Sequence, residues 1–210
     1  MIIFWSWQSD TPKRIGHYFV RDALREAIVQ LKADHELLEP AERDAAAGMT
    51  LDSDRQGVPG SPDLAATIFE KIARADVFVA DVTLVGQTPD GKKLINSNVA
   101  IEYSHAHHAL TFKRVLMVQN RHYGDGDELP FDLRQKSWPI HFDLAPDATK
   151  PQIVAERAKL TAQLTRDPRR GHQRCRKARR AMLQWHPVRL PQKAPITPRR
   201  SRAHPGGRAG

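Results

Sequence analysis

The chain has 210 residues, enough for one ordinary domain plus an appendage, with a core that needs neither disulfides nor a structural metal. Its 33 Lys and Arg against 24 Asp and Glu give +9, but residues 166–210 hold 14 basic residues and one acid, so residues 1–165 carry a net of −4. A mildly acidic body with a basic tail is not a nucleic-acid-binding domain by pI alone, and the single cysteine, Cys175, excludes an intrachain disulfide framework and any multi-thiolate zinc site.

Taken in chain order, Ile2 to Trp7 is a short run of β-branched and aromatic residues that predicts a buried strand. This start lacks a basic flank and Asp10 interrupts it, so no cleaved signal peptide is expected. No apolar run approaches the roughly 18 to 20 residues that span a bilayer. Together these absences favour a cytoplasmic protein without a membrane partner. Gln8-Ser-Asp-Thr-Pro breaks the strand, and Pro12 suits the start of a helix whose buried face carries Phe19, Val20, Leu24, Ile28 and Leu31. A second strand falls either at Leu37–Ala41 or at Met49–Leu51. Ser61 and Pro62 suit an N-cap and first helical position, followed by Leu64, Ile68 and Ile72 on one helical face.

Val77-Phe-Val-Ala-Asp-Val reads as a central parallel strand ending in a carboxylate, and Leu84 to Lys93 as a polar loop. Asn96-Ser-Asn opens a helix running to about Leu110, and Val115 to Val118 is the fourth strand. After a Gly/Asp-rich loop, Pro139 to Phe142 is an edge strand, where Pro is tolerated, and Ile153 to Leu164 closes the body as a helix. Strands alternating with helices predict an α/β fold with a mostly parallel, about five-stranded sheet covered on both faces, a flavodoxin-like, three-layer arrangement. Residues 1–165 form one domain in this reading. Residues 166–210, with six Pro, four Gly and charge of one sign, form a basic tail expected to be disordered and to meet polyanions non-specifically.

Ligands of parallel sheets bind beyond the carboxyl ends of the strands, which directs attention to Ser6–Asp10, Asp81–Thr83 and the loop after Val118. No Walker, GxGxxG, HExxH or GxSxG motif is present. His105, His107 and His108 lack the i, i+4 spacing of a helical zinc pair and any second ligand motif, so they are read as a polar helix end and no metal is expected. Glu102 stands about one and a half turns into its helix. A carboxylate there can stabilise or attack an electron-poor sugar carbon, because cleaving an N-glycosidic bond develops oxocarbenium character. Composition alone favours a solvated helix glutamate.

Four stretches resemble the bacterial TIR-like nucleotide-binding proteins, relatives in fold of the nucleoside 2-deoxyribosyltransferases. They are Phe4-Trp-Ser-Trp-Gln-Ser-Asp, Asp52-Ser-Asp-Arg-Gln-Gly-Val-Pro-Gly-Ser-Pro-Asp, Asp76-Val-Phe-Val-Ala-Asp-Val-Thr and Asn96-Ser-Asn-Val-Ala-Ile-Glu-Tyr-Ser-His-Ala; Leu129-Pro-Phe-Asp-Leu-Arg adds a fifth. The resemblance implies a nucleotide or nucleoside ligand, with NAD as a substrate rather than a cofactor, and Glu102 as the catalytic carboxylate in the pattern Asn-Val-x-x-Glu. It also implies assembly into a homo-oligomer and a role in antiphage defence or nucleotide signalling. The family's Gly-Tyr-Ala is here Ser104-His105-Ala106, and Ser104 would narrow the pocket if the Gly served close approach.

Five further positions join Glu102 as substrate-binding candidates. Ser6, Trp7 and Gln8 leave the first strand where a nucleotide would lie, and Trp7 either stacks a base or packs in the core with Trp5, which projects from the same face. Asp81 either binds a ribose hydroxyl or caps the following turn, and Asn98 either orients substrate or starts the helix. In a doubly wound sheet, Asp81 and Trp7 should lie across the cleft from Glu102. Arg55 is a weaker phosphate candidate, and Arg134 is read as structural. The competing functions are a glycosidic-bond-cleaving enzyme, a nucleotide sensor of the same fold, and a nucleic-acid binder driven by the tail.

Overall fold

A computed structural model describes residues 1–33, 47–53, 63–135 and 139–165. In chain order it contains β1 (Ile2–Ser6), α1 (His17–Ala33), β2 (Thr50–Asp52), α2 (Leu64–Arg74), β3 (Val77–Asp81), β4 (Leu84–Gln87), β5 (Lys93–Ile95), α3 (Ser97–Ala109), β6 (Val115–Asn120), α4 (Phe131–Arg134), β7 (Ile140–Phe142) and α5 (Lys150–Thr165). Five strands form one sheet in the order β2-β1-β3-β6-β7, and every pairing is parallel. With the β4–β5 hairpin set aside, this is the flavodoxin-like order 2-1-3-4-5, whose switch point lies between β1 and β3. Ser6 stands opposite Ala80 and Asp81 opposite Val118, so the ends of the three central strands align at one edge.

Strand alternation divides the core into two layers. Ile3, Trp5, Val77, Val79, Leu116 and Val118 pack against α1 and α5. Phe4, Phe78, Ala80, Val115 and Met117 face the other way, toward Ile72 of α2 and Val99, Tyr103 and Ala106 of α3. Phe4 and Phe78 stack across β1 and β3 at 5.9 Å. Each large apolar side chain so buried contributes roughly 1.5–3 kcal/mol. Among the described residues, no helix is long and apolar enough to cross a membrane.

The departures from the sequence reading have local causes. Leu84 to Lys93, expected as a loop, contains most of an antiparallel hairpin. Apolar Leu84 and Ile95 face each other in register across a Pro89-Asp-Gly turn, where Gly91 has φ of +80°. The first helix begins at His17 rather than near Pro12, because the Pro12 carbonyl accepts from the N–H groups of both Ile15 and Gly16 in a preceding turn. The second strand is Thr50–Asp52, overlapping the later of the two expected positions; residues 37–41 lie outside the described residues. Asp63 caps α2, its carboxylate accepting from the N–H groups of Ala65 and Ala66. Residues 61–62, and with them the expected cap, lie outside the described residues, as does the whole tail over 166–210. β7 is the expected edge strand.

Candidate functional site

The carboxyl edge of β1 and β3 carries the polar residues that a buried strand end would otherwise exclude. Ser6, the last residue of β1, follows Phe4 on the face covered by α2 and α3. Glu102 reaches it from the second turn of α3. The Ser6 hydroxyl donates to Glu102 Oε2 at 2.5 Å, linking residues 96 apart in the chain. Ser6 is buried and Glu102 half-buried, so this bond is partly dehydrated, where it is stronger than in water. Val99, Tyr103 and Ala106 anchor the helix against the sheet, and Glu102 adjoins that buried stripe. Asn98 lies one turn before Glu102 on the same side of α3 and is exposed.

The start of α3 is fixed by Asn96, whose side-chain oxygen accepts from the N–H groups of Asn98 and Val99. The helix-start role considered for Asn98 therefore belongs to Asn96. The Asn96 amide donates in turn to Asp10 Oδ2 at 2.6 Å, tying the helix cap to the segment that leaves β1.

Gln8 organises that segment from beneath. Its side-chain oxygen accepts from the N–H groups of Asp10 and Thr11, and its amide donates to Thr11 Oγ1 at 2.8 Å and to Asp81 Oδ2 at 3.3 Å. Asp81 is fully buried, and its other oxygen accepts from the N–H of Thr83 at 3.0 Å. Burial pushes the Asp81 carboxyl above its ordinary value, against the opposing pull of Thr83 and Gln8, while the Asp10 charge adds to the rise. The Thr83 hydroxyl oxygen accepts from the N–H of Asn120, whose side chain holds the backbone of Leu144. In this geometry Asp81 caps the turn after β3.

Trp7 lies on the other face of the sheet, against the α1 and α5 layer, and its ring stacks on His17 at 3.8 Å and 5°. Asp81, following Val77 and Val79, also starts toward that layer. The sheet edge therefore separates Trp7 and Asp81 from the Ser6–Glu102 pair, instead of setting them across one cleft from it. Trp5 is a core residue. Arg55 lies outside the described residues. Arg134 donates to the carbonyl of Asp127 at 2.9 Å, a structural contact. His105 stacks on Phe69 and its Nε2 lies 3.2 Å from the Phe69 carbonyl, while His107 packs beside Tyr103 and His108 is exposed.

A hollow of about 580 Å³ opens between α3 and α4, lined by Tyr103, Ser104, His107, His108 and Asp132 among others. Positions 102 and 104 are about 200° apart around a helix. Ser104 therefore faces this hollow, on the side of the helix away from Glu102. Among the described residues, the Ser6–Glu102 pair is a carboxylate held by a hydroxyl at the switch point of the sheet.

Sequence reasoning named Ser6, Trp7, Gln8, Asp81, Asn98 and Glu102, took in Asp10 and Thr83 only within the strand-end stretches 6–10 and 81–83, and missed Thr11 and the bonds made by Asn96 and Asn120. An asparagine three residues before the first buried helical position was a legible cap signal for Asn96. The chain matches no protein-family model and no curated protein.

Proposed function

We propose that this protein is a TIR-like enzyme that cleaves the N-glycosidic bond of NAD or of a related nucleotide or nucleoside, with Glu102 as its catalytic carboxylate. The observation that carries this reading is the Glu102 carboxylate, half-buried at the β1/β3 switch point and held by the Ser6 hydroxyl at 2.5 Å. In such a reaction the bond between C1′ and the base nitrogen breaks, and its electron pair leaves with the base. With NAD this neutralises the pyridinium charge, so nicotinamide departs without protonation. The positive charge that develops on the sugar is met by the anion of Glu102, and water then adds to C1′ and loses a proton. Ser6 fixes the rotation of the carboxylate, and in this reading the exposed Asn98, one turn away, meets a sugar or base group. Gln8 and Asp81 support this edge through their mutual bond. The basic residues of 166–210 add a salt-dependent contact with polyanions, separate from this chemistry.

The test is incubation of purified full-length protein with NAD and, separately, with 2′-deoxynucleosides, followed by chromatography for nicotinamide or free base. Release by the wild type and loss of release in Glu102→Gln support the reading. Saturable binding without release would replace it with a nucleotide sensor of the same fold.

A further inference from the structure

Two contacts tie α3 to the chain that leaves β1, and they fall on opposite sides of its first turn and a half. Glu102 meets Ser6, and the cap residue Asn96 meets Asp10. The segment before α3 is the β4–β5 hairpin, which stands outside the five-stranded sheet. The start of α3 is therefore connected covalently to an element that does not itself belong to the main sheet. Its apolar anchors, Val99, Tyr103 and Ala106, pack the body of the helix against the sheet, but none lies before its third residue. The directional bond from Asn96 to Asp10 fixes the cap itself.

Asp10 is itself held. Its N–H donates to the Gln8 side chain, and Gln8 is anchored to the buried Asp81 on β3. The polar connections close a ring: Asp81 to Gln8, Gln8 to Asp10, Asp10 to Asn96, along α3 to Glu102, and back to β1 through Ser6. We propose that Asp10 is a positioning residue that sets where Glu102 stands, acting through the Asn96 cap and the axial position of α3. The inference rests on the assignment of Glu102 as the catalytic carboxylate. A reacting group displaced by about 1 Å can lose on the order of a hundredfold in rate, and a helix freed at its first turn shifts by a fraction of that.

The experiment compares full-length wild type, Asp10→Ala, Asn96→Asp, and the exchanged double variant Asp10→Asn/Asn96→Asp. Asn96→Asp keeps a good helix cap but sets two carboxylates against each other. The double variant restores one donor and one acceptor with their roles reversed. Two readouts are taken. In hydrogen exchange, the amides of residues 97–103 should exchange roughly tenfold faster in each single variant and return toward wild type in the exchanged pair. In steady-state kinetics, kcat for base release should fall roughly tenfold in the single variants with KM within about threefold, and recover in the pair. Unchanged exchange in α3, or a kcat as low in the exchanged pair as in the single variants, overturns the positioning role. A wild type that releases no base overturns the catalytic reading instead, and the exchange measurement then decides by itself whether Asp10 holds the helix.

Discussion

Replacing Asp81 by Asn separates the two costs that meet at this buried carboxyl. In the wild type one oxygen accepts from Gln8 Nε2 at 3.3 Å and the other from the Thr83 N–H at 3.0 Å, with no exposure to solvent. Asparagine keeps an acceptor for Thr83 but turns an N–H₂ toward the Gln8 amide. Gln8 cannot reverse its own amide without loss, because its oxygen accepts from Asp10 and Thr11. A buried donor facing a donor costs about 1–3 kcal/mol. Against this stands relief of the buried charge, and that relief depends on pH. The folded-state value of Asp81 is raised, chiefly by desolvation, so the folded protein holds this proton more tightly than the unfolded chain. The stability gained from this is complete below the ordinary value of 3.8 and is lost as pH rises through the raised folded value. Asp81→Asn should therefore be less stable than wild type by about 1–3 kcal/mol in acid, and the gap should close as pH rises. Urea denaturation of both proteins across an acid-to-neutral series measures the gap. A gap that stays constant, or widens with rising pH, refutes the argument.

Gly16→Ala drives a Cβ into Thr11 Oγ1, the acceptor of the Gln8 amide, well inside van der Waals contact, and should cost about 1–3 kcal/mol. In a double-mutant cycle most of that cost should vanish when Thr11 is also replaced by Ala. Arg114→Ala removes the donors to the carbonyls of Ala75 and Asp76 and a 3.7 Å pair with the Asp76 carboxylate, and should lower stability to urea by about 1–3 kcal/mol. Truncation after Thr165 removes 14 basic residues and one acid. The thermal midpoint should stay within about 2 °C, while salt-sensitive retention on a polyanion column disappears.

The parallel sheet was legible because its strands are short apolar runs separated by helices with one buried face, as at Val77–Asp81 and Phe19–Leu31. The β4–β5 hairpin was not, because Gly86, Pro89 and Gly91 dominate a segment whose apolar ends meet only after folding. Glu102 and Ser6 were each visible as residues, but their bond spans 96 positions and depends on the axial placement of α3, which no local pattern encodes. Trp7 and Asp81 show the reverse case. Alternation along β1 and β3 already put both on the face opposite Phe4, yet a polar or aromatic residue at a strand end suggests a ligand more readily than a stack on His17 or a capped turn. The bond between Asp10 and Asn96 was not legible because it joins two loops whose proximity arises from the β1/β3 switch point.

The most direct test of the central claim is the ratio of base-release rates for wild type and Glu102→Gln, measured with NAD by chromatographic detection of nicotinamide. Both proteins must first show the same thermal midpoint. Glutamine preserves the size of the side chain and an oxygen for the Ser6 hydroxyl, and removes only the anion. The proposed mechanism predicts release by the wild type and a fall of roughly a hundredfold or more in the variant, corresponding to a loss of about 3 kcal/mol of transition-state stabilisation. Equal rates in the two proteins, or no release by the wild type from NAD or any nucleoside, would contradict it.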